Sequence, residues 1–203
     1  DNTVGKHHRQ KELTGAIKTQ IAYKVAEAMA YVHTKNIIHR DLSTNSVVLD
    51  KSLNPFIVNF SASRFVPEDE SLLLTVGVGH EIAKAPELTS DSRYGLEVDV
   101  FSYGMLLYEM LTGEIPFESL NGNEVQAAIL SARRPNIPED TPQLLADLIT
   151  KCWSPLPKDR PTFIEIVNNM TRNQIVFPAI HKKLPVSIHR FLLNRAMFNV
   201  QLI

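Results

Sequence analysis

The sequence predicts a mainly α-helical domain built round one buried helix, with a short β-hairpin near its front. Three observations predict it. Ile17, Ile21, Val25, Met29 and Val32 recur at the three- and four-residue intervals of one helix face. Val98 to Leu111 is apolar almost all round, and a helix without a polar face belongs at the centre of a domain. Val47-Val48-Leu49 and Phe56-Ile57-Val58 are short apolar runs on either side of a turn at Ser52–Pro55.

The elements follow in order. Residues 1–13 are polar and charged and read as a frayed helix or a loop. Thr14 supplies an N-cap for the first helix, and Asn36 ends it. Ile37-Ile38 then leads into His39-Arg40-Asp41. Residues 61–96 lack periodicity and read as one long ordered loop, which in a compact domain is usually functional. Thr112-Gly113 and Pro116 stop the buried helix. Three helices come after it: 124–131 capped by Asn123, 142–152 opened by Thr141 and Pro142, and 161–171 opened by Pro161. No internal repeat is present.

Composition narrows the function classes. The 203 residues suit one large domain or two small ones, and 44% hydrophobic with 21% charged residues is a globular composition. Cys152 is the single cysteine, so an intramolecular disulfide framework and a cysteine-based zinc site are excluded, and a reducing, cytoplasmic setting is expected. A net charge of −1 gives no electrostatic case for nucleic-acid binding. No run of apolar residues is long enough for a transmembrane helix. The opening residues have no apolar core of a secretory signal and no initiator Met, as if cut from a longer polypeptide. From Arg172 onward there are five basic and no acidic residues; the other 16 basic and 22 acidic residues leave −6 on the body. Within that tail Ile188, Phe191, Leu192, Arg195 and Phe198 suit a basic amphipathic helix, which can lie on an acidic membrane or in a partner groove. Docking on the acidic body is the reading favoured here.

The chemistry-bearing motifs form an ordered set. His39-Arg40-Asp41-Leu42 is followed by Asn59-Phe60-Ser61, Ala85-Pro86-Glu87, Asp99 to Gly104 on the buried helix, and Cys152-Trp153 with Asp159-Arg160-Pro161-Thr162-Phe163. This set resembles the helical C-terminal lobe of a eukaryotic protein kinase, over roughly residues 10–171. The Cys-Trp and Arg-Pro-Thr-Phe features look like the tyrosine-kinase-like and tyrosine kinase branches. The resemblance implies a partial kinase domain at 1–171 and a basic C-terminal extension at 172–203. It also implies an N-terminal lobe supplied by the full-length protein, because no Gly-rich loop and no Val-Ala-x-Lys precede residue 14.

The resemblance assigns roles residue by residue. Asp41 stands where the family has the base that accepts the substrate hydroxyl proton, with His39 and Arg40 beside it. Ser46 stands where the family has a magnesium-binding Asn, and Asn59 where it has a magnesium-binding Asp. Asn45 lies one position early, beside the metal-facing position. Both metal positions therefore carry neutral side chains, and a divalent ion loses its anionic grip there. Ser61 replaces a Gly and restricts the backbone. Ser43 and His80 replace a Lys–Thr contact that marks serine/threonine kinases, and Ser43 is not the Ala of tyrosine kinases either. The groups that would hold the fold are retained: Glu87 and Arg160 as a buried ion pair, Asp99 as acceptor for the His-Arg-Asp loop, and His39 with Phe60 as a stacked apolar spine.

Three functions follow from this reading. The first is a pseudokinase, a scaffold or allosteric regulator acting on protein partners in signalling. The second is a serine/threonine kinase using ATP and Mg, with Asp41 as base and Asn59 and Ser46 as weak ligands. The third is a truncated fragment without independent activity. Arg40 could receive a phosphate placed on Ser71 or Thr75, although exposed hydroxyls without that role are the simpler reading. His7 and His8 read as solvated, and Cys152 as a core thiol.

Overall fold

The computed structural model describes residues 13–66, 83–90 and 94–178. Helix α1 spans Gly15–Thr34, and the Thr14 hydroxyl caps it by accepting the Ile17 N–H at 3.3 Å. Ile21, Val25 and Met29 are fully buried, Ala22 and Ala26 widen the stripe, and Ile17 and Val32 lie at its half-buried margin. Strand β1 (Ile37–Ile38) follows, then β2 (Val47–Leu49) and β3 (Pro55–Ile57). β2 and β3 form the antiparallel hairpin, with Val47 opposite Ile57 and Leu49 opposite Pro55. The second strand starts one residue earlier than the apolar run suggested. The Asp50 carboxylate sets the turn by accepting the Ser52 and Asn54 N–H groups, each at 2.8 Å.

The stretch read as a continuous loop contains structure. Phe60–Ala62 form a 3₁₀ turn, β4 (Arg64–Phe65) pairs antiparallel with β1, and α2 spans Glu87–Ser90. Elements of two to four residues leave no periodicity to read. Ser71, Thr75 and His80 lie outside the described residues, as do His7, His8 and the amphipathic tail segment from Ile188 to Phe198.

Helix α3 spans Glu97–Thr112, and every residue after Glu97 is buried. It is the axis of the body. The Tyr103 hydroxyl donates to the Ala22 carbonyl of α1 at 2.9 Å. Two guanidinium groups approach the Phe101 ring, Arg134 at 4.9 Å and Arg160 at 5.1 Å from its centroid. Gly113 ends α3 in the left-handed conformation (φ 74°), with its N–H on the Glu109 carbonyl. Helices α4 (Gly122–Leu130), α5 (Gln143–Cys152) and α6 (Phe163–Arg172) complete the body, α5 against α3 and α6 against α1. Gly104 allows the close approach of α5, since a Cβ there would sit 3.0 Å from the Cys152 Cβ and 3.1 Å from the Trp153 nitrogen.

Each of these last three helices starts at a different residue from the one the sequence suggested. Asn121, not Asn123, caps α4: its side chain accepts the Glu124 N–H at 3.1 Å, and Glu124 returns a hydrogen bond to the Asn121 N–H at 2.8 Å. Thr162 caps α6 with Glu165 in the same arrangement, so Pro161 stays outside the helix. In α5 Pro142 occupies the cap position, and the Thr141 hydroxyl, buried, has no partner among the described residues.

After α6 the chain returns to the start of α1. Ile175 and Phe177 are buried, and the Phe177 N–H donates to the Thr19 hydroxyl at 2.9 Å. A Cβ on Gly15 would run into the carbonyl oxygens of Phe177 and Pro178, so this contact needs a glycine. Among the described residues no helix is long and apolar enough to cross a membrane.

Candidate functional site

The loop between β1 and β2 is held from below by one carboxylate. Asp99, fully buried in the first turn of α3, accepts the Arg40 N–H on Oδ1 and the His39 N–H on Oδ2, both at 2.8 Å. Oδ2 also accepts from His33 Nε2 at 3.0 Å. Turning two successive amides toward one carboxylate places Arg40 at φ 65°, a left-handed conformation costly for a residue with a Cβ. The charge-assisted hydrogen bonds offset that cost.

His39 is buried beneath the loop. Its Nε2–H donates to the Val58 carbonyl at 3.0 Å, and its Nδ1 accepts the Asp41 N–H at 3.3 Å. A carbonyl can only accept and an amide can only donate, so the two contacts fix the tautomer. Phe60 meets the His39 ring edge to face rather than stacked, at 4.7 Å and 73°. Arg40 is buried as well. Its Nε donates to the Ala62 carbonyl at 2.6 Å and its Nη1 to the Tyr94 hydroxyl at 2.8 Å. That side chain ties the segment after β3 to the one before α3.

The structure brings Asp41 and Asn59 together. Asn59 takes the left-handed conformation (φ 69°, ψ 52°), which Asn tolerates better than most residues. Its Nδ2 donates to Asp41 Oδ2 at 2.5 Å, and its Oδ1 accepts from the Ser61 hydroxyl at 3.1 Å. Both ends of the amide are therefore engaged. Ser46 is 1% exposed, and its hydroxyl accepts the Ser43 N–H at 2.9 Å and donates to the Ser43 carbonyl at 3.0 Å. Asn45, beside it, is exposed.

A divalent cation needs oxygen donors turned toward it and free to coordinate. In this arrangement the Ser46 hydroxyl is bonded to its own loop, and the Asn59 amide oxygen accepts from Ser61. Among the described residues no group of three or more His, Cys, Asp or Glu side chains is placed to hold a metal.

Two structural contacts complete the frame. Glu87 and Arg160 form a bidentate pair, at 2.5 and 3.0 Å, and Arg160 also donates to the Ser154 and Glu97 carbonyls. The Thr44 hydroxyl donates to Glu109, buried in α3, at 2.8 Å. Sequence reasoning passed over this second contact. Its signal was Glu109 itself, a charged residue in the long apolar run of α3 after Tyr103.

A helical body with an Asp-bearing loop pinned by a central helix, and a Glu–Arg tie at the far end of the following segment, defines a protein-kinase-like domain. The chain belongs to the protein tyrosine and serine/threonine kinase family, whose model matches residues 4–170. It is 34% identical over 165 residues to the dual specificity protein kinase pyk3 of Dictyostelium discoideum, covering 81% of this chain and 12% of that protein. A probable serine/threonine-protein kinase of the same organism is 32% identical, over 80% of this chain and 18% of its own length. The serine/threonine-protein kinase STY17 of Arabidopsis thaliana is 34% identical, over 83% of this chain and 29% of its own. The chain thus spans less than a third of each of these relatives.

Proposed function

We propose that this domain works as a pseudokinase of the tyrosine-kinase-like branch. In this reading it is a cytoplasmic scaffold or allosteric regulator that engages protein partners, with little metal-dependent phosphoryl transfer. The observation that carries the reading is the Asn59 amide closed onto Asp41 at 2.5 Å. The position at which the family holds magnesium presents a neutral donor to the very carboxylate that would take the substrate proton. Ser46, at the other metal position, is buried and bonded to Ser43. Losing the anionic ligand removes the largest local charge partner of a divalent ion. The retained Glu87–Arg160 and Asp99 contacts keep the shape without needing the metal. The Cys152-Trp153 and Arg160 to Phe163 features support the branch.

A second reading is phosphoryl transfer with Asp41 as base. It draws on the relatives, which are named as kinases. Both readings look to an N-terminal lobe in the full-length polypeptide for the nucleotide's other contacts. One experiment on that polypeptide separates them. Magnesium-dependent ATP binding and phosphate transfer are measured in the parent and in Ser46→Asn/Asn59→Asp. The pseudokinase reading expects little transfer in the parent and at least tenfold tighter nucleotide binding in the double variant. Robust transfer by the parent that vanishes in Asp41→Ala establishes the second reading instead.

A further inference from the structure

A cleft of about 430 Å³ lies where the end of α1, the start of α3 and the start of α6 meet. Its size falls in the range of small-molecule sites, roughly 300–1,000 Å³. Ala30, Leu96, Pro157, Phe163 and Ile164 give it an apolar wall, and His33 lies among them. His33 is held in two ways. Its ring meets Phe163 edge to face at 4.9 Å, and its Nε2–H donates to Asp99 at 3.0 Å. That leaves Nδ1 as a hydrogen-bond acceptor with no partner among the described residues. It is not fully enclosed, since the side chain keeps 10% exposure.

The fixed charges round the cleft leave a net of one negative charge, which disfavours an anion. Glu97 and Glu165 are opposed by Lys158, while the Arg160 charge is taken up by Glu87. The Glu165 carboxylate is occupied in accepting the Thr162 N–H and hydroxyl. The α3 and α6 N-termini contribute positive ends and the α1 C-terminus a negative one. Within the apolar wall the open polar atom is His33 Nδ1, which asks for a donor.

We propose that this cleft binds an uncharged, largely apolar small molecule whose single O–H or N–H donates to His33 Nδ1, and that its occupancy reaches the His39–Asp41 loop through Asp99. A donor on Nδ1 polarises the imidazole and strengthens the Nε2–H bond to Asp99 Oδ2. The same oxygen accepts the His39 N–H, and its twin accepts the Arg40 N–H. The site stands whether or not the domain transfers phosphate.

The test uses the full chain with three probes: 2-naphthol, its methyl ether, which has no donor, and 2-naphthoate, which is charged. Calorimetric titration is paired with amide NMR. 2-Naphthol is expected to bind at least fivefold more tightly than either analogue and to shift the amide signals of His39 and Arg40. Ile164→Glu, at an exposed position whose replacement leaves folding intact, is expected to weaken binding at least fivefold. Absence of binding at millimolar 2-naphthol, or undiminished binding in Ile164→Glu, overturns the site. Equal affinity for the ether or the naphthoate overturns the ligand class, and unmoved His39 and Arg40 amides overturn the coupling.

Discussion

Replacing Glu87 with alanine tests the tie between the segment before α3 and the loop before α6. The Arg160 side chain has no exposed surface, and the Glu87 side chain is 12% exposed. Removing Glu87 takes away two hydrogen bonds at 2.5 and 3.0 Å and leaves a buried cation. Breaking a buried pair from one side costs about 3–5 kcal/mol. The Ser154 and Glu97 carbonyls still solvate Arg160 at 2.9 and 3.0 Å, which places Glu87→Ala at the lower end, about 3 kcal/mol. Arg160→Ala strands both carbonyls and a carboxylate together, so it belongs at the upper end, about 5 kcal/mol. For a chain of this size each kcal/mol moves Tm by about 2–4 °C, so Glu87→Ala lowers it by about 6–12 °C and Arg160→Ala by about 10–20 °C. Thermal unfolding followed by circular dichroism reads both. The paired Glu87→Met/Arg160→Met replacement is expected to recover most of the loss, because it removes both charges at once. A Glu87→Ala shift below 2 °C, or an Arg160→Ala variant more stable than Glu87→Ala, refutes the reasoning.

Two further outcomes are expected. Gly104→Ala drives a methyl group against Cys152 and Trp153 and costs about 1–3 kcal/mol in urea unfolding; a neutral result means that α5 moves aside freely. Burial raises the Cys152 thiol pKa far above its ordinary value, with nearby Arg160 opposing the shift more weakly. The folded state therefore keeps its proton where the unfolded chain loses it. This contribution to stability is complete below the unfolded thiol pKa near 8.5 and declines by about 1.4 kcal/mol per pH unit above it. In Cys152→Ala that part of the alkaline decline disappears, and identical pH profiles for the two proteins would contradict the assignment.

Periodicity made α1 legible and an apolar run without a polar face made α3 legible, because the first buries a stripe and the second its whole circumference. Thr14 was legible as a cap for the same reason, standing directly before the stripe. The starts of α4 and α6 were legible too, but in a different signal. Asn121 with Glu124 and Thr162 with Glu165 are capping boxes, and the prolines and the second Asn nearby are the weaker cues. The β1–β4 pairing was not legible. It joins two-residue strands more than twenty positions apart, and nothing local specifies it. The motif order pointed to the residues round Asp41, but not to their contacts. That Asn59 closes on Asp41 depends on a left-handed turn at Asn59, and that Ser46 turns inward depends on the backbone of Ser43. Side-chain identity fixes what a site can do, while local backbone conformation decides which oxygen is left over to do it.

The junction of Gly15 and Thr19 with Phe177 and Pro178 has a mechanical consequence. The first described helix and the last described residues are tied to each other at this one spot. A side chain at Gly15 would therefore loosen the start of α1 and the Phe177–Pro178 segment together, far along the chain from each other though they are.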